Sequence, residues 1–455
     1  MDKALFYFDK ETTFPCRCGL THHIPTRRTL LGDGVMEEIP TVLRDLGMGK
    51  RILLLWDENT YQSGGKTLEG MLSRTGFHTI PGMIHRQKRF RHLEPDEEAR
   101  SQAGRLLQEK PDCILAVGSG VLNDLAKFIA HRAGLPYSVL ATAPSMDGYS
   151  SPGAPMLVGG YKITFDATPP IAIFMDLEIL AHAPLRLIQS GFADLVGKTT
   201  ANADWTLRHL LFDEHECAYT WELVRDALII LEKNAERVRK RDEEAIFALS
   251  VALLNSGFSM TITGDSRPAS GAEHLIAHYL EIMSLHRDWD PSLHGLRVGA
   301  ATALVSTLYD YFLSLLPSFK WERLHNLGPT ENTLEEVALH FGPLYPYIEK
   351  ATRKKIAQPL IPDKRTENET FLTTLETAIR AKLSPLPDPS LTLTRCGAPT
   401  TFGEMGFSLQ TVRDALRYSR YVRARFTILD LLDQAGLLND AIEYAMERNR
   451  TKNTV

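Results

Sequence analysis

Three histidines in the middle of the chain have the residue type and the spacing of a metal-binding group. His274 and His278 lie four residues apart on a predicted helix, so both imidazoles leave the same face, one turn apart. His294 opens the next predicted helix, in the run His-Gly-Leu-Arg-Val-Gly. Imidazole nitrogens suit zinc, nickel and iron, and a catalytic ion needs a coordination position that the protein leaves open. The pattern predicts a metal centre; the alternative for each histidine is a core position satisfied by hydrogen bonds.

An upstream aspartate could complete this group. Asp194 lies in the stretch 191–198, Gly-Phe-Ala-Asp-Leu-Val-Gly-Lys, which is otherwise mostly small and apolar. A carboxylate in such surroundings is costly unless it is paired or bound to a metal. A helical ion pair with Lys198, four residues on, is one explanation. With the histidines downstream, the sequence favours metal ligation.

A second candidate site lies near the start of the chain, where an apolar run at 113–117 leads into Gly118, Ser119 and Gly120. Backbone N–H groups at the N-terminus of the following helix favour a phosphate, as in dinucleotide-binding folds. The full glycine fingerprint is missing because Asn123 stands at its last position, so a plain tight turn is the alternative.

Polar side chains after the neighbouring strands strengthen this interpretation. Thr142 and Ser145 follow the next predicted strand, where hydroxyls can contact the same cofactor. Asp57 ends the strand 51–56, where a carboxylate can accept a hydrogen bond from a ribose hydroxyl. The alternative for Asp57 is a solvated turn residue.

The elements that must position these residues change character along the chain. Apolar runs predict buried strands at 27–31, 51–56, 113–117, 137–140 and 171–175, with a helix at 121–133 between two of them. Helical periodicity dominates afterwards, most clearly at 248–263, 272–285, 295–316 and 409–435, with Ser270 as a plausible N-cap and a Pro-rich excursion at 384–399. We therefore predict a Rossmann-like parallel-sheet domain at 1–183, an all-helical domain at 184–455, and an active site in the cleft between them.

Bulk properties restrict the classes of protein. A chain of 455 residues is long enough for two domains. Its net charge of −5, without a basic block, argues against a nucleic-acid partner. The first six residues lack the pattern of a signal peptide, and the apolar run 248–262 is too short and too interrupted to span a bilayer. We expect a cytoplasmic protein.

The five cysteines are odd in number and scattered, which argues against a disulfide framework. Cys16 and Cys18, with His22 and His23 nearby, could be half of a zinc site. No second cysteine pair follows at ligand spacing, so reduced structural or surface thiols are the favoured interpretation.

From about residue 32 to 435 the chain resembles the sn-glycerol-1-phosphate dehydrogenases, within the superfamily of metal-dependent alcohol dehydrogenases, glycerol dehydrogenases and dehydroquinate synthases. Four motifs carry the resemblance: Gly-Ser-Gly-Val-Leu-Asn-Asp-Leu-Ala-Lys at 118–127, Ala-Pro-Ser-Met-Asp-Gly-Tyr-Ser-Ser at 143–151, Gly-Phe-Ala-Asp at 191–194, and Ser-Arg-Pro-Ala-Ser-Gly-Ala-Glu-His at 266–274. The last is the most specific, because glycerol dehydrogenases and dehydroquinate synthases differ there. No role carries over to the segment 345–400.

The resemblance implies a dehydroquinate synthase-like fold, NAD(H) or NADP(H) as cofactor, and one divalent metal ion, zinc or nickel, with iron as a third choice. It implies Asp194, His274 and His294 as metal ligands, and Asp147, His278 and Asp194 as substrate contacts, with Asp194 and His278 in catalytic roles. It assigns the dinucleotide to Asp57, Gly118, Ser119, Gly120, Val121, Leu122, Thr142, Ala143, Pro144, Ser145 and Ser151. We also expect a homo-oligomer, a dimer or larger.

The implied reaction is reduction of dihydroxyacetone phosphate to sn-glycerol 1-phosphate. Arg267, a fork-shaped donor in the most specific motif, is our hypothesis for the phosphate anchor, with Lys162 as a weaker candidate. An arginine that braces the turn is the alternative. Competing functions are a glycerol or other polyol dehydrogenase and a carbon–oxygen lyase of the dehydroquinate synthase type.

Overall fold

A computed structural model of the chain describes residues 11–87, 90, 92–287, 289–290, 292–316, 331–357 and 369–451. The segment on which the expectation of no signal peptide rests lies outside these residues. The strands run β1 Thr12–Pro15, β2 Thr21–Ile24, β3 Arg28–Gly32, β4 Arg51–Trp56, β5 His78–Met83, β6 Cys113–Gly118, β7 Tyr137–Ala141, β8 Gly153–Val158, β9 Tyr161–Asp166 and β10 Ala172–Asp176.

Six of these strands form one parallel sheet in the order β3-β10-β7-β6-β4-β5. The central strands are almost wholly buried, as expected for a sheet covered on both faces. Leu53 and Leu55 of β4 belong to one apolar core, and Ile52 and Leu54 belong to a second core on the opposite face. From β4 the chain goes outward to β5 and then returns to β6 on the other side of β4. The switch point of the sheet therefore lies between β4 and β6, where ligands bind in open α/β sheets.

Helices make up most of the remaining described chain. They run α1 Val35–Asp45, α2 Glu58–Thr60, α3 Lys66–Arg74, α4 Glu97–Arg105, α5 Gly120–Ala133, α6 Leu177–His182, α7 Leu185–Val196, α8 Lys198–Phe212, α9 Ala218–Arg239, α10 Glu243–Thr263, α11 Ala272–His286, α12 His294–Leu315, α13 Glu331–Phe341, α14 Tyr345–Ile356, α15 Glu369–Leu383, α16 Pro389–Cys396, α17 Leu409–Tyr418, α18 Ile428–Gln434 and α19 Leu438–Thr451.

The predicted fold class is confirmed: a parallel-sheet part precedes a helical part, and no described residue after Asp176 lies in a strand. The expected strands all form, within one or two residues of the predicted ends. The sequence did not predict β5, an edge strand that contains Pro81, or the two antiparallel hairpins β1–β2 and β8–β9. The proposed boundary at 183/184 falls between α6 and α7, and the division into two domains stays a prediction.

Three local expectations in the helical part are wrong. The stretch 409–435 is not one helix, because α17 ends at Tyr418 and a capping box of Thr427 and Asp430 starts α18 afresh. Ser270 does not cap α11: Gly271 holds that position without a side-chain cap, and Asp204 accepts from the N–H of Ala272 instead. The Pro-rich interval 384–399 contains the helix α16, which packs against α9.

The helix that covers the apolar run 248–262 is longer than expected. The helices α10, with 21 residues, and α12, with 22, are long and apolar enough to cross a membrane. The expectation that the stretch covered by α10 is too short to span a bilayer is therefore wrong. In both helices most of that apolar stretch is buried inside the protein, 78% in α10 and 61% in α12. Such burial is typical of a core helix and makes each of them weak evidence for a span.

Candidate active site

A cavity of about 540 Å³ lies beside the carboxyl ends of β6 and β7. One wall consists of the first turn of α5, the loop after β7 and the hairpin β8–β9. Residues of α7, α11 and α12 form the opposite wall, and the segment between α17 and α18 contributes two arginines. The loops that follow the parallel strands therefore face the helices that carry the predicted metal ligands.

The predicted ligands Asp194, His274 and His294 come together at this wall, from α7, α11 and α12 respectively. Both histidines line the cavity, and Asp194 is buried beside them. One potential ligand atom from each lies within 4.8 Å of the other two, and Nε2 of His274 is 3.5 Å from Oδ1 of Asp194. Nδ1 of His294 is buried with no hydrogen-bond partner among the described residues. Buried polar atoms normally have a partner, so a nitrogen in this state is one that a cation would satisfy. The donors present therefore fit a divalent transition metal.

Two glycines allow close packing around α7, one against the loop after β7 and one against α12. A Cβ added to Gly191 of α7 would lie 1.9 Å from the carbonyl oxygen of Pro144, in the loop after β7. A Cβ added to Gly295 of α12 would lie 1.9 Å from the carbonyl oxygen of Ser190. Gly191 lies three residues before Asp194, and Gly295 directly follows His294. The Gly-Phe-Ala-Asp and His-Gly sequences thus encode close packing as well as ligands.

Lys198, which is buried and does not line the cavity, joins two carboxylates next to the predicted ligands. Its Nζ lies 2.9 Å from Oδ2 of Asp147 and 2.9 Å from Oδ1 of Asp194, and its side chain is fully buried. Burial opposes ionisation of Asp194, but the attraction of Lys198 and the hydrogen bond with His274 outweigh it and hold the pKa of Asp194 well below its ordinary value. Burial likewise opposes the charge of Lys198, yet the two aspartates raise the pKa of that amine. The ion pair with Lys198 and the approach to the histidines, which the sequence left as alternatives, are both present.

Glu273 fixes the orientation of the neighbouring histidine. Its Oε1 lies 2.8 Å from Nδ1 of His274, and Thr200 donates to its other oxygen at 2.8 Å. A carboxylate on the remote nitrogen of a histidine directs the other nitrogen outward, as is common for metal-binding imidazoles. Burial lowers the pKa of His274, but the contacts with Asp194 and Glu273 prevail and raise it. Sequence reasoning missed Glu273, although its place beside His274 was a signal.

His278 lies one turn beyond His274 and faces the cavity. Its ring centroid is 6.0 Å from that of His274 and 5.3 Å from that of His294. Burial holds the pKa of His278 well below its ordinary value, so the ring is neutral at physiological pH. Together with Glu281 and His294 it forms a second, overlapping group of potential metal ligands.

Part of the predicted dinucleotide site lines the cavity. Ser119 caps α5, and its Oγ lies 2.9 Å from Oγ of Ser145. Gly120, Val121 and Ser151 also reach the lining. The N-terminus of α5 therefore points its N–H groups towards the cavity from the carboxyl end of β6.

The other predicted dinucleotide residues lie just behind this surface. Gly118, Leu122, Thr142, Ala143 and Pro144 surround the strand ends without lining the cavity.

Asp57 ends β4, across the switch point from β6, and caps α2 by accepting from the N–H of Thr60 at 2.8 Å. This cap gives Asp57 a structural role beside the predicted cofactor contact.

Arg267 does not reach the cavity. Its guanidinium pairs with Asp265 at 2.9 Å and with Glu214, so both ends of the fork are occupied by carboxylates. These contacts support the alternative that Arg267 braces the turn, and they correct the hypothesis of a phosphate anchor. Lys162 lines the cavity but contacts both oxygens of Glu281 at 3.0–3.1 Å.

Arg423 and Arg425 enter the cavity from the segment between α17 and α18. Arg425 binds the turn before α11 through the hydroxyl of Ser266, at 2.9 Å. Arg423 donates to the neutral hydroxyl of Thr164 at 3.0 Å. Neither arginine was predicted from the sequence, because the stretch has the pattern of a continuous helix.

Comparisons with known proteins agree with this fold. The profile of the iron-containing alcohol dehydrogenases matches residues 30–184. Among solved structures, a probable glycerol dehydrogenase from Sinorhizobium meliloti superposes with a TM-score of 0.60 at 16% identity, covering 94% of this chain and 98% of that one. The NADH-dependent butanol dehydrogenase A of Thermotoga maritima gives 0.58 at 14% identity, covering 94% and 98%. The fold is therefore that of the iron-containing alcohol dehydrogenases, a class of metal- and NAD(P)-dependent oxidoreductases.

Relatives with higher identity narrow this class. A protein of Halalkalibacterium halodurans named glycerol-1-phosphate dehydrogenase (NAD(P)+) is 35% identical over 301 residues, which are 66% of this chain and 75% of the relative. A protein of the same name from Bacillus licheniformis is 29% identical over 439 residues, 95% of this chain and 96% of the relative. The chain belongs to the glycerol-1-phosphate dehydrogenase family, as its motifs predicted.

Proposed function

We propose that the chain reduces dihydroxyacetone phosphate to sn-glycerol 1-phosphate, reversibly, with NADH or NADPH at a divalent metal ion. The observation that carries the proposal is the convergence of Asp194, His274 and His294 beside the cavity that the dinucleotide-type loop lines, with both histidines in the lining. Membership of the family supplies the substrate class. When bound, the metal ion would polarise the substrate carbonyl as a Lewis acid and the nicotinamide would supply the hydride.

Local charge favours the group of Asp194, His274 and His294 over the overlapping group that contains Glu281. Lys198 is shared between two carboxylates, so the surroundings of Asp194 keep a negative excess. Glu281 instead faces two cations, Lys162 and Arg297, at 3.0 and 3.1 Å. A divalent cation is attracted to the first environment and opposed by the second. His294, common to both groups, is then held beside Asp194.

The chain's own residues would move the proton. His278 is neutral, faces the cavity and stands one helical turn from His274, so its ring can hydrogen-bond the substrate and donate towards the oxygen on which negative charge develops. Asp147 is held by Lys198 and by the hydroxyl of Ser256 at 2.7 Å, which orients its carboxylate at the cavity edge for a substrate hydroxyl.

Arg423 is our candidate for the substrate phosphate in place of Arg267. It lines the cavity, and its hydrogen bond at 3.0 Å goes to the hydroxyl of Thr164 rather than to a carboxylate. A guanidinium fork suits a phosphate and is always charged. The first turn of α5, together with the paired hydroxyls of Ser119 and Ser145, would hold the nicotinamide dinucleotide, and Asp57 would accept a hydrogen bond from its ribose.

The choice of metal, compartment and assembly is part of the proposal. Histidine and carboxylate donors suit zinc, nickel and iron. We expect a cytoplasmic homo-oligomer, as predicted from the sequence.

The test is a comparison of substrates with the purified chain. Oxidation of NADH and of NADPH is followed with dihydroxyacetone phosphate and with unphosphorylated dihydroxyacetone, and the chirality of the product is determined. Turnover with the phosphate to the sn-1 product supports the proposal. Preference for dihydroxyacetone would identify a polyol dehydrogenase, and product formation without net consumption of NADH would indicate a lyase; either result overturns it.

A further inference from the structure

Four potential metal-binding side chains meet at a second place, outside the lining of the cavity. Cys16 and Cys18 lie in the turn of the hairpin β1–β2, and His22 lies on β2. Cys217 is the N-cap residue of α9, 195 positions after His22 in the chain. One ligand atom of each lies within 4.8 Å of the others. The sequence offered Cys16 and Cys18, with His22 and His23 nearby, as half a site. The fold selects His22 and supplies the missing cysteine.

Three distances between the donor atoms lie close to those of a tetrahedral site. A zinc ion at about 2.3 Å from sulfur and about 2.0 Å from nitrogen places tetrahedral ligands about 3.8 Å apart for two sulfurs and about 3.5 Å apart for sulfur and nitrogen. Sγ of Cys16 and Sγ of Cys217 are 3.8 Å apart. Nε2 of His22 is 3.2 Å from Sγ of Cys18 and 3.5 Å from Sγ of Cys217.

The local structure prepares these donors. The turn is closed by the N–H of Cys16, which donates to the carbonyl of Leu20 at 2.9 Å, so both of its sulfurs are held near the hairpin end. The ring of Phe14 packs against that of His22 at 5.8 Å. His23, the next residue, points the opposite way and bonds Thr13 at 2.9 Å. The alternation of the strand thus selects His22 as the ligand.

Neither a disulfide nor a set of mutual hydrogen bonds accounts for the cluster as well as a metal ion does. A disulfide needs sulfurs about 2.05 Å apart, far closer than the 3.8 Å between Cys16 and Cys217. Thiols are poor hydrogen-bond donors, so three sulfurs around one imidazole satisfy each other badly. Cys217 is fully buried and His22 is 4% exposed, which makes unsatisfied polarity costly there.

We propose that Cys16, Cys18, His22 and Cys217 bind a structural zinc ion. Three thiolates and one imidazole form a soft, closed, tetrahedral set that selects zinc and leaves no position for a substrate. The ion would fasten the N-terminal hairpin to the start of α9, in addition to the ion pair of Arg17 with Glu222. None of the four residues lines the central cavity, so the site serves stability rather than the dehydrogenase reaction.

Zinc-edge X-ray absorption of the full chain, purified from zinc-supplemented cells, tests the proposal directly. The candidate catalytic site contains no sulfur ligand among Asp194, His274 and His294, so sulfur around zinc reports on this cluster alone. We expect a sulfur shell at about 2.3 Å. A zinc spectrum with nitrogen and oxygen neighbours only would overturn the proposal, as would a disulfide between Cys16 and Cys217 in the intact mass.

A variant pair provides the second measurement. A mercurial reagent should release zinc from the wild-type protein but not from Cys217→Ser. The variant should also have a Tm a few degrees lower and keep its dehydrogenase rate per folded molecule. Cys396→Ser removes a thiol that is equally buried but lies outside the cluster, and it should keep that zinc. Equal mercurial-released zinc in wild type and Cys217→Ser contradicts the site. If Cys217→Ser fails to fold, the wild-type spectrum decides.

Discussion

Replacing Lys198 by methionine should destabilise the metal-free protein strongly. The substitution keeps most of the apolar stem and removes the cation shared by Asp147 and Asp194, each 2.9 Å away. Asp194 retains an N–H donor from Asp147, and Asp147 retains the hydroxyl of Ser256. The buried Asp194 and the partly buried Asp147 nevertheless lose their counter-charge.

The magnitude follows from the burial of Lys198 and Asp194, whose side chains are 0% and 1% exposed, whereas that of Asp147 is 12% exposed. Each ion pair has a gross attraction of about 6 kcal/mol at an effective dielectric constant near 20, largely offset by desolvation. Removing one partner of a buried pair typically costs about 3–5 kcal/mol. The unfolding entropy of a chain of 455 residues is about 1 kcal/mol per kelvin, so this cost corresponds to a Tm about 3–5 °C lower.

Calorimetry of chelator-treated protein at neutral pH measures this difference. Lys233→Met, which removes an exposed lysine of α9, is the matched control and should change Tm by less than about 1 °C. Adding nickel or zinc should narrow the deficit of Lys198→Met, because Asp194 then regains a cation. If Lys198→Met has the same Tm as the control, the ion pairs of Lys198 with Asp147 and Asp194 contribute nothing to stability and our description of this cluster is wrong.

Three further predictions concern the cavity and its helices. Arg423→Ala should raise KM for dihydroxyacetone phosphate by about 10- to 150-fold, because a charged hydrogen bond is worth about 1.5–3 kcal/mol. Arg267→Ala should leave KM nearly unchanged. If steady-state kinetics show the reverse order, Arg267 is the phosphate anchor. Burial and the nearby Glu281 raise the pKa of Glu94 to about 7, so this cavity carboxyl is neutral below that pH and repels a phosphate above it. KM should therefore rise through pH 7 in wild type and stay flatter in Glu94→Gln; equal slopes would exclude this role. Gly191→Ala should lower Tm because its Cβ would lie 1.9 Å from a carbonyl oxygen. Gly104→Ala, with open space around its Cβ, should raise Tm slightly. Equal Tm values for the two variants would show that α7 can shift freely.

Much of the fold was predictable because the signals were local. Buried parallel strands read as continuous apolar runs, and β4 and β6 formed where the sequence placed them. The edge strand β5 was missed because Pro81 and Gly82 weaken its pattern, which an edge position tolerates. The break between α17 and α18 was missed because its residues keep helical spacing. The new start at Thr427 is fixed by its capping box with Asp430 and by Asp204, which is distant in sequence and accepts from the N–H of Ile428.

In the candidate site, too, residues with a local sequence signal were predicted and residues brought in by the tertiary fold were missed. Asp194, His274 and His294 were found from residue type and spacing together with the family resemblance, and the structure brings them together. Lys198 was seen only as an alternative partner, since spacing could not show that it also reaches Asp147. Arg423 and Cys217 carry no local signal. Contacts across some 200 residues, such as that between Cys16 and Cys217, come from the tertiary fold alone.

Restoration of activity by metal tests the central claim most directly. The chelated enzyme is titrated with nickel or zinc while oxidation of NADH by dihydroxyacetone phosphate is followed, for wild type and for Asp194→Ala. We predict that wild type loses its activity on chelation and regains it with stoichiometric metal, and that Asp194→Ala does not. Full activity of the chelated wild type, or recovery of Asp194→Ala at the same metal concentration, would contradict the proposed centre.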